Sequence, residues 1–176
     1  MAVISEATSP EDIVAARELF SQYAQSLGFS LCFQGFDQEL ANLPGKYALP
    51  DGRLLLARNE VQNTLMGCVA LRKLDDEVCE MKRLYVTPDA RGHGVGRALV
   101  LRVIQDAASI GYLRMRLDTV PGKMDSAIGI YRMFGFQEIP PYNVSPFPGV
   151  LYLECDLAAS TISKPVHSLL KLNEKL

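Results

Sequence analysis

Apolar residues recur at Ile13, Ala16, Phe20, Tyr23 and Leu27, a spacing of three to four residues that lines one face of a helix. Ser9-Pro10-Glu11-Asp12 supplies an N-cap, a proline in the first turn and an acid three residues after the cap, and Gly28 ends the run. The pattern predicts a first helix over about 10–27. Residues 29–47 mix aromatic, apolar and acidic positions before Pro44-Gly45 and predict a short second helix or an ordered loop. The period then shortens. Short apolar runs at 53–59 and 65–73, split by the polar turn 60–63, predict a hairpin, and 78–86 a third consecutive strand.

A glycine-rich loop at 91–96 leads into an apolar helix from Arg97 to about Ile110, stopped by Gly111. Residues 112–119 alternate, with Leu113, Met115 and Leu117 on one face of a strand. A helix over 124–134, closed by Gly135, precedes strands at 136–139 and 150–156, separated by the proline-rich loop 140–149. The order α(α)βββαβαββ contains no repeat. It describes one domain over 1–157 and a polar tail, 158–176, with a weak amphipathic signal at Val166, Leu169, Leu170 and Leu172.

The composition is that of a folded domain: 176 residues, 48% apolar and 22% charged. Net charge is −2, from 18 basic and 20 acidic residues, so the basic surplus typical of nucleic-acid binders is missing. No apolar run approaches the roughly 20 residues needed to span a bilayer. The first twelve residues lack the pattern of a secretory signal. Cys32, Cys68, Cys79 and Cys155 have neither C-x-x-C nor metal-finger spacing, which fits reduced thiols in a cytoplasmic protein. The expected partners exclude nucleic acid and membrane, and the chain is expected as a monomer or homodimer. His93 and His167 are the only histidines, too few for a zinc site or a Ser-His-Asp triad, and no metal is expected.

The densest chemistry lies in Leu84-Tyr85-Val86-Thr87-Pro88-Asp89-Ala90-Arg91-Gly92-His93-Gly94-Val95-Gly96-Arg97, where a strand runs through three glycines into a helix. A helix start offers unpaired backbone N–H groups and the positive end of the dipole, so it can hold a diphosphate. Glycines let phosphate oxygens approach the backbone, and Arg91 and Arg97 can add charged hydrogen bonds. Gly96 is followed by Arg97-Ala98 rather than Lys-Ser/Thr, which excludes a nucleotide P-loop, and Arg97 breaks a G-x-G-x-x-G fingerprint.

Arg91-x-x-Gly94-x-Gly96 resembles the Q/R-x-x-G-x-G/A motif of the GNAT N-acetyltransferase superfamily. Ala127-x-x-Ile130-Tyr131-x-x-x-Gly135-Phe136 is similar to that family's A-x-x-L-Y-x-x-x-G-F helix. The resemblance covers about 53–156 well and the N-terminal helices loosely. It implies an α/β (α+β) fold with a central mixed, twisted sheet of six to seven strands flanked by about four helices. Two parallel strands, here 78–86 and 112–119, would splay apart to bind CoA.

By this resemblance acetyl-CoA is the acyl donor. Its diphosphate would lie on Arg91, Gly92, His93, Gly94, Val95, Gly96 and Arg97, and its pantetheine arm would pair with the backbone of Leu84, Tyr85 and Val86, which also polarises the thioester carbonyl. Tyr131 matches the family's proton donor to the leaving thiolate. Asp118 and Glu80 stand where members place a general base; each has an alternative as ion-pair partner of Arg83, Arg114 or Arg116, and a base acting through water, or none, stays open. Many members carry an asparagine seven residues before the tyrosine. Met124 stands there, so that contact does not transfer.

The implied activity is acetyl transfer to a primary amine of a small molecule or peptide by direct attack. A catalytically silent acyl-CoA-binding module and a transferase of longer acyl chains are the alternatives. The acceptor would lie between 29–47 and 140–149, where Phe33, Phe36, Asp37, Glu39, Tyr142 and Phe147 offer a pocket with acids for an ammonium ion, or else ordinary packing and surface.

Overall fold

The computed structural model describes residues 1–28, 30–31 and 35–158. Helix α1, Pro10–Leu27, starts at a capping box in which the Ser9 side chain accepts from the Asp12 N–H and Asp12 accepts from the Ser9 N–H. It ends at Gly28 in the left-handed conformation. Helix α2, Phe36–Ala41, and a 3-10 turn at Gly45–Tyr47 occupy the segment for which helix or loop stood open. Helices α3, Val95–Ile110, and α4, Asp125–Met133, lie where the periodicity puts them.

The strands are β1 (Ala2–Glu6), β2 (Arg53–Asn59), β3 (Leu65–Lys73), β4 (Val78–Val86), β5 (Arg114–Thr119), β6 (Gln137–Glu138) and β7 (Leu151–Asp156). They form one mixed sheet in the order β1-β2-β3-β4-β5-β7-β6, in which only β4 and β5 run parallel. Strand β1 is absent from the sequence-based element order. It is a sheet edge whose residues alternate between half-buried and exposed, so it carries little apolar signal.

The four-residue run Leu54-Leu55-Leu56-Ala57 reads apolar throughout because helices cover both sheet faces. Leu55 and Ala57 point into a core with Leu99, Val103, Ile104 and Leu117. Leu54 and Leu56 point into a second core with Leu19, Phe20 and Tyr47 on the α1 side. Both centres are sealed: Leu19, Phe20, Leu55, Leu56 and Leu99 have no exposed surface. Gly67 in β3 allows close pairing with β4, since a Cβ there would collide with the Tyr85 carbonyl oxygen. Cys68, Cys79 and Cys155 are buried free thiols whose pKa values burial pushes up. Among the described residues no helix is long and apolar enough to cross a membrane. Cys32, Phe33, His167 and the amphipathic tail positions lie outside the described residues.

Candidate active site

Strands β4 and β5 pair only at Val78 with Arg114, Cys79 with Met115 and Glu80 with Arg116. Beyond Glu80 each keeps its outer neighbour: β4 stays on β3 as far as Val86 opposite Gly67, and β5 stays on β7 as far as Thr119 opposite Leu151. The sheet therefore opens between them. The cause is a bulge: β4 takes three steps from Lys82 to Tyr85 while β3 takes two from Ala70 to Cys68. Within it Arg83 has φ +58°, an uncommon conformation for a residue with a side chain.

A buried ion pair holds the bulge. Arg83 donates Nε to Glu39 Oε1 at 2.8 Å and Nη2 to Oε2 at 2.9 Å. Tyr47 Oη donates to Oε1 at 2.8 Å, and Lys46 Nζ lies 3.1 Å from Oε2. Burial alone would raise the Glu39 pKa, but the hydrogen bonds and charge of Arg83, then Lys46 and Tyr47, hold it at about 2.

The opening is lined by Met81, Lys82, Arg83 and Leu84 of β4, Leu117 and Asp118 of β5, Tyr23 of α1, and Met124 and Tyr131 at α4. Tyr131 is 5% exposed, with its ring 5.7 Å from that of Phe136. Burial, with Tyr23 and Asp118 nearby, raises its pKa, so the phenol stays protonated at neutral pH and can donate. Met124 lies in the cleft at the start of α4, and its sulfur accepts from Thr119 Oγ1 at 3.3 Å.

At the wide end of the opening, a 3-10 turn at Pro88–Ala90 and the glycine loop lead from β4 into α3. Gly92 and Gly94 adopt φ +79° and +76°, and nothing lies within 4 Å of where their Cβ atoms would be. Helix α3 begins without a side-chain cap, next to the exposed residues Arg91, Gly92, His93 and Gly94. Gly96 differs: a Cβ there would meet Ile130 Cδ1 at 3.3 Å, so this glycine seats α3 against α4. Arg91 Nε donates to the Val86 carbonyl at 3.3 Å, leaving its terminal nitrogens for an anion. An uncapped helix start beside open glycines fits a diphosphate.

The two carboxylates differ in access. Glu80 has no exposed surface; it accepts from Arg72 Nε on Oε2 and from Tyr142 Oη on Oε1 at 2.8 Å, with Lys82 Nζ 3.6 Å from Oε1. Asp118 lines the cleft, takes Lys82 Nζ at 2.8 Å and Asn143 Nδ2 at 3.2 Å, and keeps 17% side-chain exposure. Burial would raise its pKa, but Lys82 and Asn143 lower it below the usual carboxylate value.

The profile of the Acetyltransferase (GNAT) family matches residues 16–136. The chain belongs to this family. An uncharacterized N-acetyltransferase of Schizosaccharomyces pombe is 40% identical over 156 residues, covering 88% of this chain and 94% of its own length. A GNAT-family acetyltransferase from Staphylococcus aureus superposes with TM-score 0.73 at 21% identity, over 89% of this chain and 99% of the other. Spermidine N-acetyltransferase from Vibrio cholerae shares the fold at TM-score 0.67 and 16% identity, over 89% and 96%.

Within this GNAT fold the carboxylate partners differ from those considered in the sequence. Arg83 serves Glu39, Arg114 reaches Glu77 at 3.3 Å, and Arg116 pairs with Glu154. Glu80 and Asp118 instead converge on Lys82, with Arg72 behind, and neither cation is singled out by any sequence pattern. Tyr23, which reads as a helix-face residue, also reaches the opening. On the acceptor side Glu39 is buried on Arg83 rather than free for an ammonium ion, Phe36 lies under the same guanidinium at 5.2 Å, and Asp37 is exposed. Tyr142 stands edge-on to Tyr152 at 5.3 Å and bonds Glu80. The Phe147 N–H donates to Ser145 Oγ at 3.2 Å.

Proposed function

We propose that the protein transfers an acetyl group from acetyl-CoA to a primary amine by direct attack. The observation that carries this reading is the loss of β4–β5 pairing after Glu80, with Tyr131 and Asp118 lining the gap beneath the glycine loop. Acetyl-CoA supplies the activated thioester carbon. The Gly92–Arg97 backbone and the Arg91 and Arg97 side chains take the diphosphate. The β5-facing edge of β4 at Leu84, Tyr85 and Val86 offers backbone groups to pantetheine, and one N–H there stabilises the carbonyl oxygen as charge develops.

The acceptor nitrogen bonds to the carbonyl carbon as the C–S bond breaks. Tyr131, kept protonated by burial, gives its proton to the departing sulfur. Asp118, ionised and lining the opening, takes the ammonium by hydrogen bond and passes its proton to water. Its lowered pKa makes it a weak base, so a substantial part of deprotonation falls to solvent. Glu80, enclosed by Arg72, Lys82 and Tyr142, positions that wall rather than meeting the amine.

Tyr131→Phe keeps the ring and removes only the hydroxyl. A loss of about 10²-fold in kcat with acetyl-CoA affinity unchanged is expected, read by thiol release and calorimetry. Wild-type turnover in that variant rejects the role. Binding of acetyl-CoA without thiol release against any amine would instead identify a silent acyl-CoA-binding module.

A further inference from the structure

The splayed cleft meets a second one lined by Lys46, Arg72, Lys82, Asp118, Asn143 and Ser145, and the two share Lys82 and Asp118. Its charges are layered. Glu39 and Glu80, at 3% and 0% side-chain exposure, form the back layer, while Lys46 and Arg72, at 37% and 29%, face the opening. Arg72 spends Nε and one terminal nitrogen on Glu80, and its other terminal nitrogen has no hydrogen bond among the described residues. Four cations, Lys46, Arg72, Lys82 and Arg83, stand against three carboxylates, Glu39, Glu80 and Asp118, which leaves one positive charge in excess.

The one carboxylate that an acceptor can touch is Asp118, and the cations beside it repel any further ammonium group. An amine entering this cleft therefore has to bring an anion of its own. We propose that the acceptor is a small amine carrying a carboxylate, a free amino acid, whose carboxylate is held by Arg72 and Lys46 while Asp118 takes the amino group. An arginine with a free nitrogen and a neighbouring lysine are the donors a carboxylate requires. The Lys46 amine fits this picture: burial, with Arg72 and Arg83 close by, pushes its pKa below 10.5 despite Glu39, and a bound carboxylate relieves that repulsion. A polyamine, which brings several cations and no anion, is the acceptor this surface disfavours.

This inference rests on the transferase reading and is tested separately from it. The full chain with acetyl-CoA is given the twenty amino acids and, as matched probes, amines that lack only the carboxylate: lysine against cadaverine, ornithine against putrescine, phenylalanine against phenethylamine. The product is identified by mass and the rate by thiol release. At least a tenfold higher kcat/KM for the amino acid of a pair is expected. Lys46→Gln, at the more exposed of the two cations, raises KM for the amino acid about tenfold and does not raise that for the decarboxylated partner, whose entry it eases by removing a repelling charge. Equal or better use of the decarboxylated amines overturns the proposal, as does a protein that binds acetyl-CoA but acetylates none of the twenty. Failure to bind acetyl-CoA overturns the transferase reading itself.

Discussion

Replacing Glu39 with glutamine removes the charge that holds Arg83, itself 3% exposed, in the bulge that opens the sheet. The Glu39 pKa falls from 4.5 to about 2 in the fold, and about 1.4 kcal/mol per unit gives a contribution of about 3 kcal/mol. Breaking one side of a buried pair costs a similar amount, about 3–5 kcal/mol, because the remaining charge is left uncompensated. That is a large share of the roughly 5–15 kcal/mol by which a domain is stable. Because this carboxyl is more acidic in the fold than in the unfolded chain, its stabilisation is complete above the unfolded value and is lost as pH falls through the folded one. The gap between wild type and Glu39→Gln, measured by urea unfolding, is expected at about 3 kcal/mol from pH 5 to 7, falling to about 1 kcal/mol at pH 3. A gap below about 1 kcal/mol at pH 7, or one that stays constant down to pH 3, refutes the assignment of Glu39 as the charge that holds the bulge.

Gly94→Val puts a β-branched residue at φ +76°, which costs about 1–3 kcal/mol of stability. It also crowds the face offered to the diphosphate, so a CoA affinity at least tenfold weaker by calorimetry is expected, and unchanged affinity in a folded variant removes the loop from the site. Asp118→Asn is expected to lower kcat/KM by about tenfold or more. In the wild type the rate should rise with pH through the amine's own ionisation, with no inflection near neutrality from Asp118, whose pKa lies below the usual carboxylate value. Glu80→Gln, which strips Arg72 and Lys82 of a buried partner, is expected to lower stability and raise acceptor KM, and a changed rate–pH profile without either effect would move the base role to Glu80.

Local pattern by itself determined most of the secondary structure and the cofactor-side motifs. Helix α1 was legible from its cap and stripe, and β2 and β3 from apolar runs that satisfy both faces of the sheet. The loop at Arg91–Gly96 and the Tyr131 helix were legible as motifs because a diphosphate-binding turn and a helix face are built from neighbours in sequence. Strand β1 escaped because an edge strand with one half-buried face has almost no apolar signature.

Tertiary structure alone decided where the sheet opens and what the acceptor meets. The splay depends on where β4 loses β5 and on an ion pair between Glu39 and Arg83, 44 residues apart, which no periodicity reports. Glu39 reads in sequence either as a pocket acid for an amine or as ordinary packing, and in the fold Arg83, Lys46 and Tyr47 occupy it; Asp118 and Glu80 take Lys82 and Arg72 rather than Arg83, Arg114 or Arg116. Composition counts charges and spacing assigns them to faces. Only proximity across the fold decides which charges cancel and which remain turned toward a ligand.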